Sequence, residues 1–232
     1  MKKKLILVSV MVWALGFSIS QAEAPAASGG TIQGVVKLVG TPPPVQPLKR
    51  QADPFCAKTS ANDETVVVGA AGGLKYSVVR IKGPIAGAQP GAKSVVFDQS
   101  NCLYSPRVTA LGPKQILQVR NTDPVLHNVH CYNGTTTCFN RAQMKGAKDI
   151  EQTLAPGVYK MKCDVHPWMT GWVVVNENDF VAVTDGNGGF SIPNVPAGTY
   201  TLEAWHEKYG VQTASVTVTT GGASTNFSFN AP

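Results

Sequence analysis

The chain has 232 residues, with 20 Lys and Arg against 14 Asp and Glu, a formal net charge of +6, 43% hydrophobic residues, 23 Gly and 16 Pro. Three of those lysines sit within the first four residues, and without them the charge is only +3. The remaining surface therefore gives no case for nucleic acid or an anionic membrane as partner.

In chain order, Lys2, Lys3 and Lys4 precede an apolar stretch from Leu5 to Ile19, followed by the small, polar run SQAEA. This is the pattern of a secretory leader, and the stretch is too short for a membrane span. Cleavage is expected after Ala22, because Ser20 and Ala22 are both small. Residues 1–22 are thus read as signal peptide and 23–30 as linker, which predicts a periplasmic or secreted protein with no transmembrane segment once processed. About 210 residues remain, enough for one large or two small domains.

Short runs rich in Val, Ile, Thr and aromatics then recur between Gly, Pro and Asn clusters, the pattern of an all-β sandwich or barrel. Strands are predicted at 31–39, 64–68, 74–82, 94–98, 114–121, 126–132, 157–163 and 171–176, and four or five more follow in the tail. The only helical candidate is 139–148. A boundary falls at the polar NEND, which divides 91–176 from 177–232. The tail is short for a complete two-sheet sandwich, so residues 31–90, through strand 31–39 and also 74–82, are expected to complete it.

Five cysteines in an exported chain leave one unpaired. Cys131 and Cys138 bracket YNGTTT, whose Asn133-Gly134 step is a tight-turn signal, so they are expected to pair across a hairpin. Cys56 and Cys102 then pair by elimination, and Cys163 stays a thiol.

That thiol opens the run CDVHPWM, which places Cys163, His166 and Met169 within seven residues. A thiolate, an imidazole and a thioether suit copper, and two His and one Cys with a weak axial Met make an electron-transfer site. The second histidine must come from PVLHNVH, which offers His127 and His130 on opposite faces of one strand. Alternation alone leaves the choice open. On the incoming strand the lysine side, Lys160 and Lys162, is the wet one, so Cys163 points inward.

PVLHNVH followed by CDVHPWM resembles the blue-copper cupredoxins, and the C-x-x-H-x-x-M loop is similar to that of amicyanin. VRNTDPVLHNVH and LAPGVYKMKCDVHPWM also resemble the plastocyanin-like pattern, over roughly residues 94 to 175. The resemblance implies a Greek-key β-sandwich with one mononuclear type 1 copper. His127, Cys163 and His166 would be its equatorial ligands and Met169 the axial one, with Asn128 bracing the cysteine loop. His130 has no metal role in this reading. Asp164 departs from the family's usual residue after the cysteine and is expected to favour the oxidised, more positive metal. VTDGNGGFSIPNVPAGTYTLEAWHEKYG resembles the carboxypeptidase regulatory-like domain, a small transthyretin-like sandwich with no peptidase activity implied.

The function expected is therefore a one-electron carrier, not an enzyme. The exposed edge of His166 would be its electron port, Pro167 and Trp168 its docking patch, and a cytochrome c or copper oxidoreductase its partner. A copper-delivery protein, or a surface binding module with a structural copper, is the alternative. WHEK lacks the second histidine of a zincin motif, and GAAGG lacks the lysine of a phosphate loop.

Overall fold

The computed structural model describes residues 29–85 and 94–232. The expected leader, residues 1–22, lies outside the described residues, as does all of the 23–30 linker except Gly29 and Gly30. Among the described residues, seventeen strands follow in order. The first six are β1 (Gly30–Val39), β2 (Val78–Ile81), β3 (Ser94–Ser100), β4 (Leu103–Ser105), β5 (Val108–Leu111) and β6 (Ile116–Asn121). Next come β7 (His127–Asn133), β8 (Thr136–Gln143), β9 (Ile150–Thr153), β10 (Gly157–Lys162) and β11 (Thr170–Val175). The last six are β12 (Val181–Val183), β13 (Gly189–Val195), β14 (Gly198–His206), β15 (Gly210–Val218), β16 (Ala223–Ser224) and β17 (Phe227–Asn230). Among the described residues the only helical turns are two short 3-10 pieces, Cys56–Lys58 and Ala70–Gly72, and no helix is long and apolar enough to cross a membrane. The protein is all-β.

Two sandwiches share the chain. In the first, the sheet β5-β11-β10-β7-β8 faces the sheet β4-β3-β6-β9. Alternation builds its core: on β6, Leu117, Val119 and Asn121 turn inward while Ile116, Gln118 and Arg120 are half-buried. Gly171 on β11 lets the sheets close, since a Cβ there would stand 2.7 Å from the Phe97 ring. The β7–β8 hairpin turns through Gly134 in the left-handed region (φ 58°), which fits the first position of a two-residue loop.

In the second sandwich β1 pairs with β13, β16 and β17, and the facing sheet runs β12-β2-β14-β15. Strands β1 and β2, from the predicted 31–39 and 74–82 segments, are thus hydrogen-bonded to strands of the tail. The first sandwich, β3 to β11, is inserted between them. A third apolar cluster, Val78, Val108 and Val174 with Trp172 and Trp205, joins the two bodies where β2 meets β5 and β11.

Two expected elements differ. The helical candidate 139–148 contains no helix: 139–143 belong to β8 (Thr136–Gln143), paired to β7 apart from a bulge at Cys138, and 144–148 are turn and irregular, because hairpin closure at Gly134 overrides local preference. The 64–68 segment forms no strand, only the isolated bridge Val68↔Leu74, with Lys75 N–H bonding Val67 O at 3.0 Å. Short strands β4, β5 and β9 were not anticipated.

His206, at the end of β14, is 1% exposed and stacked on Tyr209 at 5.1 Å. Its Nδ1 accepts the Lys208 N–H, while Nε2 has no hydrogen-bond partner among the described residues. Burial, and secondarily the Arg107 charge, lower its pKa to about 4. A base depressed on folding adds stability that is complete above the unfolded value near 6.5 and is lost as pH falls towards 4. Over that window stability should fall by up to about 1.4 kcal/mol per pH unit, a slope that His206→Phe should remove in chemical unfolding measured at several pH values.

Candidate metal centre

His127 is the first residue of β7, and its side chain shares the inner face with Val129 and Cys131, all 0% exposed. His130 takes the opposite face, which answers the question that alternation left open. Cys163 follows the last residue of β10, 2% exposed, and the chain then turns tightly. Met169 N–H bonds His166 O at 2.9 Å, and Cys163 N–H bonds Met169 O at 3.4 Å, which closes a seven-residue loop before β11. Three donors converge: His127 Nδ1 lies 2.9 Å from His166 Nδ1, and Cys163 Sγ lies 3.8 Å from the latter. All three ligand atoms fall within 4.8 Å of one another, and Met169 is fully buried in the same apolar cluster as Cys163.

Other groups orient this set. The outer nitrogen of His127, Nε2, meets Asp123 Oδ2 at 2.8 Å, and the Asp123 carboxylate also accepts the Asn101 and Cys102 N–H groups, both at 2.7 Å. Asn128 donates its backbone N–H to Cys163 Sγ at 3.5 Å and accepts the Asp164 N–H on its side-chain oxygen at 2.5 Å. Burial alone would lower the pKa of His127, but hydrogen bonds with Asp123 and Cys163 raise it to about 9. Burial likewise opposes ionisation of Cys163, yet His127 and the N–H groups of Asn128, His166 and Val165 hold its pKa below the ordinary thiol value. The pocket therefore favours a thiolate, the form that binds metal.

The donors fit one ion. Bonds of about 2.0 Å to nitrogen and about 2.3 Å to sulfur span an N···S separation of at most about 4.3 Å, and the observed 3.8 Å lies inside that limit. Two imidazole nitrogens and one thiolate, with a buried thioether in the same loop, are a donor set that suits copper.

Several sequence expectations need correction. The edge of His166 is not exposed: the residue is 2% exposed, and its Nε2 meets Asp53 Oδ2 at 3.3 Å. The cover is a loop from the N-terminal third of the chain, tied down by the Cys56–Cys102 disulfide. Of the expected docking pair, Pro167 is exposed, but Trp168 is half-buried, with its indole N–H on Cys102 O at 3.0 Å. Asp164 lies on the exposed side of the loop. Its carboxylate accepts from Asn140 at 2.8 Å and Asn128 at 3.1 Å and meets His130 at 3.0 Å, and these bonds outweigh burial and lower its pKa. Cys131 and Cys138 are both thiols. A bulge explains this: Cys131 opposes Phe139 and Tyr132 opposes Thr137, which leaves Cys138 as the extra, exposed residue. The two remain neighbours, since burial and then the Cys138 thiol push the Cys131 pKa up.

Asp53 and Asp123 were missed. Asp123 stands four residues before His127, and Asp53 opens DPFC with a turn in which its carboxylate accepts the Phe55 and Cys56 N–H groups. Those local signals say nothing about what lies 113 residues away.

A family model described as polysaccharide lyase family 4, domain II matches residues 153–226. It takes the place of the carboxypeptidase regulatory-like module that the tail was read as, and it spans β10 and β11 as well as most of the second sandwich. No curated protein matches the chain. Among solved structures, a purple cupredoxin from Nitrosopumilus maritimus is 24% identical, with 37% of this chain and 100% of that one covered and a TM-score of 0.32. Amicyanin from Paracoccus versutus is 21% identical over 42% and 97% of the two chains, with a TM-score of 0.33. A copper-containing nitrite reductase from Thermus scotoductus SA-01 is 20% identical over 42% of this chain and 28% of that one, with a TM-score of 0.34.

Proposed function

We propose that the protein is an exported mononuclear blue-copper carrier, held by His127, Cys163, His166 and Met169. The observation that carries this reading is the convergence of His127, Cys163 and His166 donors in a buried pocket, at spacings one ion can bridge. Copper bound there would supply a one-electron couple between its two oxidation states. The residues supply a rigid frame for it. His127 is fixed by Asp123, Cys163 by the Asn128 N–H, and the ligand loop by the Met169–His166 and Cys163–Met169 backbone bonds. A frame that cannot relax towards either oxidation state keeps reorganisation small.

A partner would dock on the exposed rim of the ligand loop, at Val165 and Pro167. Transient redox encounters bury less than about 1,200 Å² in total, so a small soluble redox protein such as a cytochrome c suits this surface. Carrier function is tested by electron exchange: a stable reversible potential with fast self-exchange is expected. Transfer of copper to an apo-acceptor with sluggish electron exchange would assign the protein to copper delivery instead.

The brace on the ligand loop gives a further expectation. Asn128→Ala keeps the backbone N–H on the thiolate but removes the side-chain bonds to Asp164, and copper affinity should fall about 10–100-fold in a competition titration.

A further inference from the structure

Residues 48–61 form a loop closed at its base by Leu48 N–H on Ala61 O at 2.9 Å and Asp63 N–H on Gln46 O at 2.8 Å. Nearby ends and a compact body make it an Ω-type loop. Its outward side is exposed, and among its residues only Arg50 and Cys56 are fully buried, with Leu48, Asp53, Phe55 and Ala61 half-buried. Asp53, Phe55 and Cys56 do the covering. Asp53 sits on His166, Phe55 packs against the metal-side core, and Cys56 is bonded to Cys102.

Further ties reach the turn at Asn101 and Cys102. Arg50 donates to Asn101 O at 2.5 Å, and Thr59 Oγ1 donates to Asn101 Oδ1 at 2.6 Å. Both turn residues are left-handed, with φ of 54° and 53°. Asn tolerates that conformation and Cys does not, so Cys102 is held there by its surroundings: Asp123 on its N–H, Trp168 on its carbonyl and Cys56 on its sulfur. The sulfur atoms lie close to the pocket from outside. Cys56 groups with Asp53 and His166, and Cys102 with Asp123 and His127, each set within 4.8 Å.

We propose that the loop 48–61 is a stapled lid over the metal centre. Its local opening, restrained by the Cys56–Cys102 disulfide, sets the rate at which metal and small reagents reach His166 and Cys163. A loop with so little buried apolar surface opens without unfolding the sandwich beneath it, and the staple is what keeps that opening rare. Reduction by a dithiol, which gives up two electrons and two protons and becomes a cyclic disulfide, would release the lid and leave Cys56 and Cys102 as thiols. The inference deepens the copper reading, because it takes His166 and Cys163 as ligands. Its test uses metal-free protein, so failure of the lid and failure of copper binding appear separately.

The measurement is iodoacetamide alkylation of Cys163, located by peptide mass spectrometry, in full-length processed protein. Cys163 alkylation should be at least about tenfold faster in Cys56→Ser/Cys102→Ser, and in dithiol-treated protein, while amide exchange of β7 and β10 stays slow. In untreated protein the Cys163 rate should follow exchange of the few protected amides in 48–61, not the slower global exchange of the core. An unchanged Cys163 rate in the double variant would overturn the lid. Where the double variant unfolds, the wild-type comparison decides: alkylation that follows global exchange would overturn it equally.

Discussion

Cys163→Ser is expected to abolish the intense thiolate-to-copper colour and to weaken copper binding by more than about 100-fold, beyond what loss of an outer hydrogen bond costs. The argument runs from charge and softness. His127, His166 and Met169 are all neutral when they bind, so the thiolate is the one anionic donor among the four, and the pocket is arranged to keep it ionised. Serine is nearly isosteric but remains a neutral hydroxyl, and the soft ligand that favours copper over other divalent ions is gone. Removing the thiolate also frees the Asn128 N–H, a small structural loss beside the electronic one. Stability of the metal-free variant should therefore stay close to that of the parent. Competition titration with a chromophoric chelator measures the affinity, and retention of tight, coloured binding in the serine variant would show that the metal sits elsewhere.

Glu207→Ala is expected to cost about 3–5 kcal/mol of folding stability, because it strands a buried cation. Arg107, just before β5, donates through Nε and a terminal nitrogen to both Glu207 oxygens, at 2.6 and 3.0 Å, and the two side chains are 9% and 8% exposed. The Trp172 indole N–H bonds the same carboxylate at 2.8 Å. Glu207 belongs to the second sandwich, and Arg107 and Trp172 to the first, so the pair stitches the two bodies beside the Val78–Val108–Val174 cluster. Asp63 at 4.0 Å and Thr65 at 3.0 Å still face Arg107 after the change, which places the loss near the lower end of the range. Guanidinium unfolding measures it, and Glu207→Gln, which keeps an acceptor, should recover part. A loss below about 1 kcal/mol would mean that the buried pair adds nothing to the junction.

Much of the candidate centre was legible from spacing. Cys163, His166 and Met169 are neighbours in sequence because one tight loop carries all three, so a linear motif contains most of the geometry. His127 was harder, since two histidines three residues apart lie on opposite faces of a strand, and alternation alone does not show which face is inside; the resemblance to the cupredoxin pattern pointed to His127, and the fold places it inside. The burial of His166 was not legible at all. The loop that covers it has no periodic pattern, and its anchors, Cys56 to Cys102 and Asp53 to His166, join parts of the chain 46 and 113 residues apart. The Cys131–Cys138 expectation rested on a regular hairpin, and one extra residue in β8 was enough to turn Cys138 outward. Asp164 shows the same limit: its charge was readable, but its diversion to Asn140 and His130 depends on which side chains the bulged hairpin presents.

The most direct test of a copper site built from these four side chains is the absorption and paramagnetic-resonance spectrum of the protein loaded with one equivalent of Cu(II). An intense visible thiolate-to-copper band, with a perturbed copper hyperfine splitting, is the result expected of His127, Cys163, His166 and Met169 acting together. A colourless protein with the ordinary resonance of tetragonal Cu(II) bound by nitrogen and oxygen would contradict it.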